Sequence, residues 1–144
     1  TCLQVIYGAL TAGLKAGFMF NTFPKMADAW FPTALLFQDP ISLAMINQAP
    51  TVQFIHRLLA WLLLFTFAWL LYLYKQQPQA NSLQKKGLIS ISCSLLVQFT
   101  LGVCTLIYHV PTSIAVLHQF GALLLLSCTV FLLYSSRAYS VAVP

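Results

Sequence analysis

The chain has 144 residues, 60% of them hydrophobic and only 6% charged, with a mean hydropathy of +0.83. Soluble domains carry about 25% charged residues, so this composition excludes an ordinary soluble domain and indicates an integral membrane protein. The net charge of +5 is no nucleic-acid footprint: the seven cations are scattered, and most fall at expected membrane boundaries, where they orient helices and meet anionic lipid.

The first apolar segment covers about residues 1–17, somewhat short of the ~20 residues that span hydrocarbon. Lys15 near its end can snorkel to the interface. The chain opens at Thr1 inside an apolar run, with no charged leader or cleavage site, so it reads as a piece of a longer protein that starts within this helix. Residues 18–50 form a long loop rich in Pro, Asn, Asp and aromatic residues, in which 40–48 is expected to be a short interfacial helix with Asp39 as its N-cap. Three full spans follow, at about 52–74, 87–108 and 113–135. A polar loop over 75–86 and a tight turn over 109–112 join them, with Pro111 near the start of the last helix.

Within hydrocarbon only helices and closed barrels satisfy the backbone, and these segments are too long and too uniformly apolar for barrel strands. The expected fold is therefore an all-α membrane protein, a four-transmembrane-helix bundle occupying 1–144. Lys75, Lys85, Lys86 and Arg137 lie on one side, and Lys15, Lys25 and Arg57 on the other. The dense cluster sits in the short loop, which places that loop in the cytoplasm and the long loop outside.

Two histidines share a setting. His56 in QFIHRLLAWLLLF and His118 in AVLHQFGALLLLS each lie about five residues into a span, roughly 6–8 Å below the interface at ~1.5 Å per residue. An intact hairpin separates them, so both helices enter from the same side and the depths match. A repeat surrounds them: His56-Arg57-x-x-Ala60 aligns with His118-Gln119-x-x-Ala122, and Gly8-Ala9-Leu10-Thr11 resembles Gly102-Val103-Cys104-Thr105. The expected arrangement is two helical hairpins about a pseudo-two-fold axis, with a ligand between the histidine helices. A matched pair of imidazoles in hydrocarbon is what a six-coordinate haem iron needs, with His56 and His118 as axial metal ligands.

Other readings of the same residues exist. A lone intramembrane histidine is often a hydrogen-bonded core residue. A proton relay usually includes acids, yet the only acids are Asp28 and Asp39, both in the outer loop. Zinc would need more ligands than two. Beside His56, Arg57 is placed to pair with a haem propionate, or to snorkel as a boundary cation. Gly8, Gly13, Gly17, Gly102 and Gly121 remove side chains where a flat ring could pass, or serve close helix packing. His109 sits at a turn and reads as exposed rather than ligating. Cys2, Cys93, Cys104 and Cys128 all fall in apolar segments, none in a CxxC pair, and behave as small hydrophobes.

Four stretches carry a family resemblance: GALTAGLKAG (8–17), NTFPKMADAWFP (21–32), VQFIHRLLAW (52–61) and LGVCTLIYHVPTSIAVLHQFGALLLL (101–126). They touch all four expected helices in order, and together they resemble the C-terminal half of the haem A synthase family. The resemblance implies an oxidoreductase of two four-helix bundles that oxidises the C8 methyl of haem O to the formyl group of haem A for cytochrome oxidase. It implies that this half holds haem b through His56 and His118. The substrate haem O and the catalytic residues would lie in an N-terminal bundle absent from this chain. Paired outer-loop cysteines occur in some members; here 18–50 has none. The implied partners are the lipid bilayer, that N-terminal bundle, and a haem O synthase or oxidase assembly factors. The implied location is a bacterial plasma membrane or a mitochondrial inner membrane. Two other classes share the residues: a bis-histidine membrane cytochrome b electron carrier, and a haemless assembly scaffold.

Overall fold

A computed structural model of the chain describes residues 1–31, 41–76 and 82–142. Among these residues five α-helices follow one another: α1 Cys2–Gly13, α2 Ile41–Asn47, α3 Ala49–Lys75, α4 Ser82–Ile107 and α5 Thr112–Ala142. A single 3₁₀ turn, Ala16–Phe18, follows α1. Among the described residues there is no strand, only an isolated bridge between Met26 and Ala29.

Three helices are long and apolar enough to cross a membrane: Ala49–Lys75, Ser82–Ile107 and the Thr112–Tyr134 part of α5. The protein is thus all-helical and fits a multi-pass membrane protein. Their boundaries lie within a few residues of the expected 52–74, 87–108 and 113–135. The helices run past those bounds at two ends: α5 continues to Ala142 and α4 starts at Ser82. Ser82 to Lys86 contains no helix breaker, so part of the expected polar loop is helical.

The first segment differs more. α1 is 12 residues long, about 18 Å at 1.5 Å per residue, and does not reach residue 17 as an α-helix. Lys15 adopts φ 51°, in the left-handed region, and the chain tightens into the 3₁₀ turn. The expected helix over 40–48 is present as Ile41–Asn47; Asp39 and Pro40 lie outside the described residues.

α3 begins with Pro in its first turn, where the missing N–H has no partner to lose. α4 ends in a Schellman motif: Val110 N–H reaches Thr105 O at 2.7 Å and His109 N–H reaches Leu106 O at 3.1 Å. His109 supplies the left-handed residue, at φ 60°.

α1 packs on α3, α3 on α4, and α4 most extensively on α5. Far from the long loop the helices close on a core of Phe67, Leu88, Ile91, Leu95 and Leu125. The opposite faces are apolar and bare. Leu58, Leu62, Phe65 and Trp69 are exposed on α3 at helical spacing, a stripe that suits hydrocarbon as solvent.

Candidate functional site

Successive faces of α3 do different work. Gln53, Arg57 and Trp61 recur every fourth residue, so they share one face, and all three seize the segment that follows the 3₁₀ turn. Gln53 Nε2 donates to Phe20 O at 3.0 Å. Arg57 donates to Phe20 O at 2.7 Å, Thr22 O at 2.9 Å and Lys25 O at 3.2 Å. Trp61 stacks on Phe23 at 5.9 Å and meets Phe99 of α4 edge-on at 5.1 Å. Asn21 ties the same segment to α4, donating to Leu106 O at 2.9 Å, a helix-end carbonyl that also accepts from His109 N–H.

The neighbouring face of α3 carries His56, Ala60 and Leu63 into a partly open cavity of about 510 Å³ lined by α1, α3, α4 and α5. That volume lies within the ~300–1,000 Å³ range of small-molecule and cofactor sites. His118, Ala122 and Leu125 line it from α5. Small residues are spread around its wall, among them Gly8, Ala9, Ala12, Ala60, Gly102, Ala115 and Ala122.

Each histidine faces a glycine of a neighbouring helix, His56 one on α1 and His118 one on α4. A Cβ on Gly8 would stand 3.3 Å from His56 Cε1, and one on Gly102 would stand 2.9 Å from His118 Cε1. Both histidines are also held at the main chain by a glutamine. Gln4 Nε2 donates to His56 O at 3.2 Å, and Gln98 Nε2 donates to His118 O at 2.8 Å. Thr11 and Thr105, three residues beyond each glycine, bond back to Tyr7 O and Leu101 O at 2.7 Å and line the same cavity.

Several polar atoms here have no partner. Nδ1 of His56, Nδ1 of His118, Nε of Arg57 and Oε1 of both Gln4 and Gln98 are buried without a hydrogen bond. Orphans of this kind are costly in an apolar wall. Two unpaired imidazole nitrogens, an unpaired guanidinium N–H and a glycine cradle suit a flat ligand with a metal centre and an acidic edge. Among the described residues no group of three or more His, Cys, Asp or Glu could hold a bare metal ion.

The other candidate residues fall elsewhere. His109 is exposed in the α4–α5 turn. Gly17 faces Val110, Gly121 faces the Gln98 side chain, and Gly13 faces open space; of the five glycines, Gly8 and Gly102 stand over the imidazoles. Cys2 and Cys93 are exposed, and Cys104 and Cys128 half-buried, all as free thiols. Asp28 is exposed and Asp39 lies outside the described residues. Sequence reading missed Gln4 and Gln98, although each stands four residues ahead of its glycine, extending the repeat to Q-x-x-x-G-x-x-T. It also missed Phe23, Trp61 and Phe99, which give no chemical cue and are joined only by the fold.

Relatives of this chain carry a consistent name. A "Heme A synthase" of Orientia tsutsugamushi (strain Ikeda) is 40% identical over 133 residues, covering 90% of this chain and 35% of the relative. One of Wolbachia pipientis wMel is 37% identical over 131 residues, covering 91% and 35%. The mouse "Heme A synthase COX15" is 35% identical over 135 residues, covering 94% and 32%. The chain therefore spans about a third of the length of the curated relatives it matches. No solved structure matches it. The family model described as cytochrome oxidase assembly protein matches residues 1–130, and the chain belongs to that family, COX15-CtaA.

Proposed function

We propose that this chain is the haem-b-holding, C-terminal four-helix part of a haem A synthase, with His56 and His118 as the two axial ligands. The observation that carries the reading is the duplicated pair: each imidazole opens on one shared cavity, each lies against a glycine, and each has an unpaired ring nitrogen. The likeness between the Gly8–His56 and Gly102–His118 settings supports two hairpins related by a pseudo-two-fold axis. In that arrangement α1 serves as the fourth membrane helix.

A haem held by two histidines supplies one-electron transfer and leaves no open iron position for oxygen. The chain's own residues do the rest. His56 and His118 hold the metal between helices that are fixed to one another by the apolar core. Gly8 and Gly102 leave room beside the rings. Arg57 is locked on three loop carbonyls, which leaves its Nε–H to meet a propionate by a charge-assisted hydrogen bond. The cavity lining is mostly apolar, which suits electron transfer without side reactions.

In the complete protein this part handles electrons. An N-terminal bundle holds haem O and carries the residues that oxidise its C8 methyl to the formyl group of haem A. The protein sits in a bacterial plasma membrane, or in the mitochondrial inner membrane of a eukaryotic source, with both histidines toward the outer side. Its partners are the bilayer, the N-terminal bundle, and a haem O synthase or oxidase assembly factors. The test is spectroscopic: His56→Ala and His118→Ala should each lose the six-coordinate low-spin haem spectrum, while His109→Ala keeps it. Retention of that spectrum in both single variants overturns the assignment.

A further inference from the structure

The walls of the cavity are not equally covered. Its lining residues on α3 and α4 are all buried or half-buried. The exposed ones are Val5, Ala9, Ala12 and Lys15 on or just after α1, Phe18 in the 3₁₀ turn, and Gln119 on α5. Helix packing agrees. Among the described residues α1 packs on α3 and α5 on α4, and no comparable seam joins α1 to α5. Val5, Ala9 and Ala12 recur at helical spacing along one edge of α1, and Ala115, Gln119 and Ala122 do so on α5. Alanine at four of these six places leaves little side chain to fill the gap. Val116 and Phe120, beside Gln119, are exposed and apolar, so the gap opens on hydrocarbon. One hydrogen bond closes its far end, where the hydroxyls of Thr1 and Thr129 lie 3.2 Å apart. Thr129 Oγ1 already donates to Leu125 O at 2.8 Å, so Thr1 donates this bond and Thr129 accepts it.

The end nearest the long loop is closed. Gly17, Phe18 and Phe23 line the cavity there. Five hydrogen bonds tie the segment around them to α3 and α4: Gln53 to Phe20 O, Arg57 to Phe20 O, Thr22 O and Lys25 O, and Asn21 to Leu106 O. The cavity thus has a tied roof and a side window.

We infer that haem passes between bilayer and cavity sideways, through the window between α1 and α5, with Lys15 as the cation on its rim. The inference rests on the haem-holding reading above. Haem is a flat, mostly apolar ring with an acidic edge, and passage from hydrocarbon keeps its body out of water. Entry through the roof would break several hydrogen bonds, three of them from a charged guanidinium; entry through the window breaks one between neutral hydroxyls. Lys15 follows the end of α1, at the end of the window nearest the long loop. There its stem can lie on apolar surface while the ammonium stays at the interface. A cation on a rim speeds the encounter with an anion more than it holds it.

The experiment uses the complete protein in lipid vesicles and reads two rates at the Soret band: loading from haem-bearing vesicles, and release to an excess of empty ones. Thr1→Cys with Thr129→Cys, in a background of Cys2→Ser and Cys128→Ser, puts two thiols where hydroxyls stand 3.2 Å apart, within reach of a disulfide. Oxidation should slow loading and release several-fold, and reduction of the same sample should restore both. Lys15→Gln should slow loading roughly tenfold and change release little. Asn21→Ala loosens the roof and should change neither rate. Unchanged rates in the oxidised pair, or faster exchange in Asn21→Ala, with the low-spin spectrum intact, overturn the window and leave the haem reading standing. An unchanged loading rate in Lys15→Gln overturns the part given to Lys15. A wild-type protein that never shows the low-spin spectrum overturns the haem reading itself.

Discussion

Gly102→Ala is the sharpest test of the cradle. The added Cβ would stand 2.9 Å from His118 Cε1, about 0.5 Å short of the 3.4 Å at which ordinary contact begins. In the free protein the imidazole can swing aside, and alanine gains up to ~1 kcal/mol of helix propensity over glycine. Stability without haem should therefore stay within about 1 kcal/mol of the parent. Once both rings are fixed on one iron the swing is forbidden, and a shift of ~0.5 Å reaches the tolerance of a ligand site. We expect about a tenfold loss of haem affinity, ~1.4 kcal/mol. Two sites on the same fold grade the effect. At Gly8 the added Cβ meets His56 at 3.3 Å, and at Gly13 it meets nothing within 4 Å. The assay is transfer of haem from the purified variants to an excess of scavenger apoprotein, followed at the Soret band. The expected order of retention is Gly13→Ala, then Gly8→Ala, then Gly102→Ala. Equal retention in Gly13→Ala and Gly102→Ala would refute the placing of His118 against that glycine.

Arg57→Ala should free the loop segment after the 3₁₀ turn, because three carbonyl contacts to Phe20, Thr22 and Lys25 disappear; limited trypsin digestion should cut after the exposed Lys25 several-fold faster. His109→Gly should stabilise the protein by about 0.5–1 kcal/mol, since a left-handed φ of 60° suits glycine better than any residue with a Cβ; thermal unfolding in detergent reads this. Gly121→Ala drives a Cβ into the Gln98 oxygen and breaks a part-buried hydrogen bond to His118 O. It should lower stability by about 1–3 kcal/mol, whereas Gly13→Ala should not.

The long helices were legible because their cue is length in apolar residues, which composition carries directly. Their ends were less so. The start of α4 is obscured because Lys85 and Lys86 have the look of loop, although nothing in Ser82 to Lys86 breaks a helix. The early stop of α1 depends on a left-handed Lys15, a conformation that lysine does not announce. The histidines stood out because a titratable ring in an apolar run is rare and there were two at one depth. The glutamines did not, because an amide in a membrane helix is common and its meaning lies in what it faces. Arg57 stands out in the sequence by its charge alone; its three loop carbonyls come together only where the chain after α1 folds back over α3.

Chemical rescue tests the central claim most directly. In the complete haem-loaded protein, His56→Gly and His118→Gly each remove one imidazole and open space beside the iron. Adding free imidazole should restore the six-coordinate low-spin spectrum to each variant, and His109→Gly should need no rescue. Either glycine variant keeping that spectrum with no imidazole added would show that the iron is not held between these two rings.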